Sequence, residues 1–299
     1  MGLLGETKPV KKPILGVSLY PEQESMEEIE NYLTMASRYG FTKIFTSMFS
    51  VPGTKEEVFD YFKNFCDLAH KHGMKVSGDC NTAFFKKMGA SESDISIFKE
   101  MGIDIIRMDL PYFDQRDVTL INNPYNITIE LSSCMIQAVR MALENGANPK
   151  NFSTCHNFYP ERYTASDLES IRSVNKELAT LGIPSAVFIS SNEDNTHGPW
   201  PVHDGLPTVE DHRWIPAELQ VRHWIAVGDV DEIIFGNAFA SEEEFKAIDQ
   251  VMNQAYVNIP KLVGHDYLAE LLPHGDVERV PFKVVLDDGV TDLEKEILF

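Results

Sequence analysis

Positive charge is scarce in this chain. Lys and Arg total 26 against 46 Asp and Glu, a formal net charge of −20 over 299 residues. A surface so negative repels phosphate backbones and anionic lipid, which argues against nucleic-acid and membrane-surface partners. An anionic small substrate stays open, provided that its cations are gathered locally. No run of 18 or more apolar residues occurs, so no membrane span is expected. The opening MGLLGETKPVKKP has no charged start leading into an apolar core, so no signal peptide is expected and the location is read as cytoplasmic. Cysteine is sparse: Cys66, Cys80, Cys134 and Cys155 include no CxxC pair and read as thiols, not as a disulfide framework. GxSxG, P-loop and GxGxxG patterns are all missing, so serine hydrolase, NTPase and dinucleotide chemistry lack support.

What is present is a repeating unit. Gly40, Gly73, Gly102, Gly146, Gly182 and Gly228 each follow a helix-like stretch and precede an apolar run. Glycine after a helix takes the left-handed conformation without a side-chain clash, and so closes it before the next strand. Helix starts are marked by Ser25 with Glu28, Thr54 with Glu57, Ser166 with Glu169 and Ser241 with Glu244, all at capping-box spacing. The apolar runs read as parallel strands buried on both faces, at 14–20, 43–49, 75–80, 103–109, 126–131, 152–157, 185–190 and 231–236. Eight such units in about 250 residues predict an α/β fold, a TIM (β/α)8 barrel over residues 1–256. An open doubly wound sheet is the alternative, but ILGVSLYPE lacks its Gly-rich first turn. Residues 257–299 include VPFKVVL and an apolar end. About 40 residues are too few for a core of their own. They read as a linker and the incomplete start of a β-rich C-terminal domain, or as a packed extension of the barrel.

Barrel chemistry is built at the C-terminal strand ends and the loops after them. Carboxylates stand at four of these ends: Glu22, Asp79, Asp109 and Glu130. Arg107 shares strand parity with Asp109, and a structural ion pair is one reading of it. Two carboxylates facing one pocket suit glycoside hydrolysis. They equally suit a divalent metal when a histidine such as His156 joins them. His197, His203 and His212 lack zinc-type spacing and read as surface or substrate contacts. No lysine falls at a strand end, which argues against a Schiff base. The 24-residue connection SNEDNTHGPWPVHDGLPTVEDHRW after the seventh strand is long enough to be functional, and its position puts it on the catalytic face.

LGVSLYPE at the start, NNPYNITIEL at 122–131, CHNFYPERYT at 155–164, GPW at 198–200, DGLPTVEDHR at 204–213 and FGNAFASEEE at 235–244 resemble the MupG family of 6-phospho-N-acetylmuramidases. The resemblance runs over residues 14–253. It implies an N-terminal TIM barrel and a C-terminal cyclophilin-like β domain, beginning in residues 257–299. It also implies cytoplasmic hydrolysis of N-acetylmuramic acid 6-phosphate from N-acetylglucosamine in cell-wall recycling, with a small phosphorylated disaccharide as partner and no metal or cofactor. Oligomerisation is left open. On this reading Asp79 and Asp109 form the catalytic pair on neighbouring strands, with Glu22 and Glu130 in reserve. Retaining, inverting and substrate-assisted routes all remain open. Tyr20, Arg107, His156, Asn157 and Tyr159 would contact the sugar and Trp200 would stack on a ring. Arg162, Arg213 and the turn at Asn237 would receive phosphate. A metal-dependent phosphosugar isomerase or aldolase, and a non-catalytic sugar-binding protein, are the rival readings.

Overall fold

The structure is a computed structural model that describes residues 12–21, 23–49, 51–199 and 204–253. Glu22, Trp200, His203 and the tail expected to open a second domain lie outside the described residues. Eight strands alternate with helices: β1 Ile14–Leu19, β2 Phe41–Ser47, β3 Lys75–Cys80, β4 Ile105–Met108, β5 Thr128–Ser132, β6 Phe152–Cys155, β7 Ser185–Ile189 and β8 Glu232–Phe235. Each pairs in parallel with the next, and β8 closes on β1, giving a closed barrel in sequence order. The chain is a TIM barrel.

Nine helices surround it among the described residues: α1 Met26–Arg38, α2 Lys55–Lys71, α3 Thr82–Met88, α4 Ser96–Met101, α5 Gln115–Ile121, α6 Ile136–Glu144, α7 Leu168–Leu181, α8 Ala217–Val227 and α9 Glu242–Asn253. Their starts follow from local chemistry. Ser25 and Thr54 cap α1 and α2 with full capping boxes, and Ser241 exchanges the same pair of bonds with Glu244 ahead of α9. At α7 the cap is Asp167, not Ser166, because its carboxylate receives the Ser170 N–H at 2.8 Å. Along α2, Val58, Phe62, Phe65, Cys66 and Ala69 are buried, one face at helical spacing laid on the barrel.

The barrel interior carries charge. Lys43, 2% exposed, donates to Glu130 at 2.8 Å and to Glu232 at 2.5 Å. Ser77 and Ser153 also reach Glu130, at 3.3 and 3.4 Å. Burial works against the Lys43 ammonium, yet the two carboxylates outweigh it and lift its pKa above the ordinary lysine value. Glu130 therefore sits mid-strand on β5, wholly enclosed, and is spent on an interior ion pair; it does not stand at the mouth as its place near a strand end had suggested. A buried charge that loses its partner is left uncompensated. Lys43→Met should therefore lower unfolding stability by about 3–5 kcal/mol. An unchanged urea midpoint in the variant would show that the cluster carries no stability.

Candidate active site

At the C-terminal end of the barrel lies a cavity of about 300 Å³. Asp79, Arg107, Asp109, Asn157, Tyr159 and Tyr20 line it, together with Phe45, Ser47, Phe49, Phe158, Phe188 and Pro199. Asp79 and Arg107 are register partners on β3 and β4. Strand alternation therefore puts both side chains on the same interior side, where an Arg107 Nη1 donates to Asp79 Oδ1 at 2.7 Å. The other amino group donates to Asn157 Oδ1 at 2.5 Å, and the guanidinium lies over the Phe45 ring at 5.9 Å. Asp109 follows β4 directly. Its backbone N–H donates to the Cys80 carbonyl at 2.9 Å, which fixes the loop while the residue itself is exposed.

The two aspartates thus share a cavity but not an environment. Burial pushes the Asp79 carboxyl above its ordinary value; the charge and hydrogen bond of Arg107 pull the other way, and the negative charges of Asp109 and Glu130 add to the rise. Asp109 stands at the mouth in contact with water. Unlike surroundings for two neighbouring carboxyl groups separate an acid from a base.

Tyr20 is buried at the end of β1, where its hydroxyl donates to the Gly236 carbonyl at 2.5 Å. Beside it the acid held in place is Glu24: both its oxygens accept the Tyr20 N–H, at 3.0 and 3.1 Å, and one contacts His197 Nε2 at 2.8 Å. His197 is thus a loop anchor. With the Gln23 amide on the Gly198 carbonyl at 2.6 Å, it brings Pro199 to the cavity edge. The long β7–α8 connection does lie on this face. Gly236 permits it, since a side-chain carbon there would meet the Leu206 carbonyl at 2.5 Å.

Four expected contacts are placed elsewhere. His156 turns outward from β6, its Nε2 on Asn175 Oδ1 of α7 at 2.8 Å; it is buried and does not line the cavity. His212 is also buried, packed against His223 Nδ1 at 2.6 Å, not a surface residue. Arg213 has a side chain only 2% exposed. It grips Glu210 with two bonds, at 2.7 and 2.8 Å, and donates to the carbonyls of Tyr159 and Asp204 at 3.1 and 2.7 Å. That bond holds Glu210 down at about 2 and ties the β6–α7 loop to the long one. Asn237 is consumed by Ser191 and Thr196. Arg162 binds Asp204 through two nitrogens, at 3.1 and 2.8 Å, and keeps a side chain 57% exposed, outside the residues that line the cavity. Conversely, the aromatic lining at Phe45, Phe158 and Phe188 had not been picked out, although Phe45 shares strand parity with Ser47 and Phe158 adjoins Asn157. Among the described residues no group of three or more His, Cys, Asp or Glu is arranged to hold a metal ion, and no helix is long and apolar enough to cross a membrane.

Residues 15–250 match the family described as 6-phospho-N-acetylmuramidase, N-terminal (MupG_N). The chain belongs to this family. It is also similar to the crystal structure of an uncharacterized B. cereus protein, at 34% identity and a TM-score of 0.72, over 84% of this chain and 70% of that one. A conserved Enterococcus faecalis protein of unknown function shares the fold at 21% identity and TM-score 0.70, over 85% of this chain and 70% of that one. The phospho-2-dehydro-3-deoxyheptonate aldolase of Thermotoga maritima shares it more loosely, at 15% identity and TM-score 0.50, over 87% and 70%. No curated protein matches. In this MupG_N barrel, the cavity with Asp79, Arg107 and Asp109 is the candidate active site.

One consequence concerns acid stability. Burial lowers His156 to about 4, with the Asn175 bond opposing it. An unfolded histidine titrates near 6.5. The neutral ring is therefore favoured by folding, and its contribution, present above about pH 6.5, is lost as pH falls towards 4. Asp79, shifted upward, acts in the opposite sense: it favours the fold at low pH, and that contribution disappears as pH rises through its folded value. The denaturant midpoint should fall between pH 6.5 and 4. His156→Gln, which cannot take up the proton, should flatten that decline. An identical pH slope in the variant would remove His156 as a cause.

Proposed function

We propose that this chain is a glycosidase that cleaves N-acetylmuramic acid 6-phosphate from N-acetylglucosamine in the cytoplasm, serving the recycling of cell-wall sugars. Membership of the family supports the substrate class. The observation that carries the chemistry is the pairing, in one cavity, of a buried aspartate whose carboxyl burial pushes above its ordinary value with an exposed aspartate after the neighbouring strand. Asp79 holds a proton and gives it to the glycosidic oxygen as the bond breaks. Asp109 supplies the negative charge on the anomeric side and takes a proton from the water whose oxygen bonds to the anomeric carbon in place of the departing N-acetylglucosamine. The aromatic lining offers faces for the sugar rings, as apolar pockets with a few fixed polar groups do for small ligands.

Phosphate has no place on the floor of such a site. Arg107 is the one cation among the described lining residues, and it is already committed to Asp79. The 6-phosphate therefore belongs outside that lining, where Arg162 is exposed while Asp204 fixes its direction. Incubation with the phosphorylated disaccharide should release N-acetylglucosamine, detected by mass spectrometry. Asp109→Asn, with the melting transition preserved, and Asp79→Asn, at a cost in stability because buried Arg107 loses its partner, should each lower turnover by at least about 10²-fold, the lower range for one acid–base group. Turnover within threefold of the unaltered protein in either variant would remove that residue from the mechanism.

A further inference from the structure

The amide of Asn157 has only one chemically allowed orientation. Its Oδ1 receives an Arg107 amino group at 2.5 Å and the Ser132 hydroxyl at 3.1 Å. A guanidinium carries donors and no acceptor, so the atom facing it must be the amide oxygen. Ser132 has a single proton, committed to the same oxygen, and its own oxygen is left to the Cys134 thiol at 3.0 Å. The opposite end of the amide is therefore the NH2 group, on a residue that lines the cavity. Next to it stands an apolar corner: Phe158 meets Phe188 edge-to-face at 4.8 Å, and Phe188 meets Phe45 at 5.2 Å.

We infer that Asn157 is a specificity-determining residue: its fixed NH2 donor, beside the Phe45–Phe158–Phe188 corner, recognises an N-acyl group on the sugar whose anomeric bond is cleaved. The acyl carbonyl oxygen accepts from the amide, and the acyl methyl packs on the rings. A free amine is refused, because at neutral pH it presents an ammonium, a donor, to another donor. A site built to bond one polar group discriminates strongly against an analogue that leaves its donor unpaired. This inference rests on the glycosidase reading and deepens it.

The test compares kcat/KM for the N-acetylated 6-phosphorylated disaccharide and for its 2-amino counterpart, deacetylated on the cleaved sugar. The unaltered protein, Asn157→Ala and Asn157→Asp are measured, with binding followed by calorimetry. Preference for the acetylated substrate should fall by at least about tenfold in the alanine variant, the loss of one hydrogen bond of roughly 1.4 kcal/mol. It should fall further in the aspartate variant, whose carboxylate keeps the Arg107 contact but welcomes an ammonium. Should the aspartate variant fail to fold, the alanine variant decides alone. Equal losses on both substrates would overturn the inference and leave Asn157 as a support for Arg107. So would cleavage of both disaccharides at equal efficiency by the unaltered protein. Neither cleavage nor binding of either disaccharide by the unaltered protein would overturn the glycosidase reading and this inference with it.

Discussion

Arg107 reaches up inside the barrel and sets the positions of two other side chains at once, Asp79 through one amino group and Asn157 through the other. Its own direction is set by β4 and by the face of Phe45 beneath it. A planar guanidinium enforces angle as well as distance, which a lysine in the same place does not. The carboxyl group proposed to carry the proton and the amide proposed to read the acyl group are thus parts of one hydrogen-bonded unit. Both are oriented before any substrate arrives, and orientation in advance is where an enzyme site gains most of its electrostatic advantage.

Below that unit the interior is polar where a barrel of this kind ordinarily packs branched apolar residues. Lys43, Glu130 and Glu232 form a buried charge cluster, and Ser77 and Ser153 satisfy further lone pairs of Glu130. The cluster is not mere infill. The negative charge of Glu130 is among the influences that raise the Asp79 carboxyl, so the floor of the barrel bears on the acid proposed above it.

Much of the architecture was legible because it rests on local rules. Apolar runs that follow helix-closing glycines marked the strands to within a few residues, and the capping boxes at Ser25, Thr54 and Ser241 formed as spaced. Strand parity linked Arg107 to Asp109, whereas its ion pair is with Asp79, its register partner on β3. What was not legible depends on partners distant in sequence. Glu130 reads as a strand-end acid until Lys43, 87 residues away, claims it. Arg213 reads as a phosphate grip until the carbonyls of Tyr159 and Asp204 and the carboxylate of Glu210 are seen to occupy it. His156 differs from its neighbour Cys155 by one step of the strand alternation, which turns it out towards α7. Side chains with several donors are the hardest to assign from sequence, since the same chemistry serves a ligand or a loop.

The division of labour between the two aspartates is the central claim, and substrates with graded leaving groups test it most directly. Protonation by an acid matters less as the departing group becomes a weaker base. Asp79→Asn should therefore be badly impaired on the natural disaccharide yet approach the unaltered protein on a 6-phosphorylated aryl glycoside with an acidic phenol. Asp109→Asn should be impaired on both alike. The reverse pattern, with the aryl glycoside rescuing Asp109→Asn and not Asp79→Asn, would contradict the account.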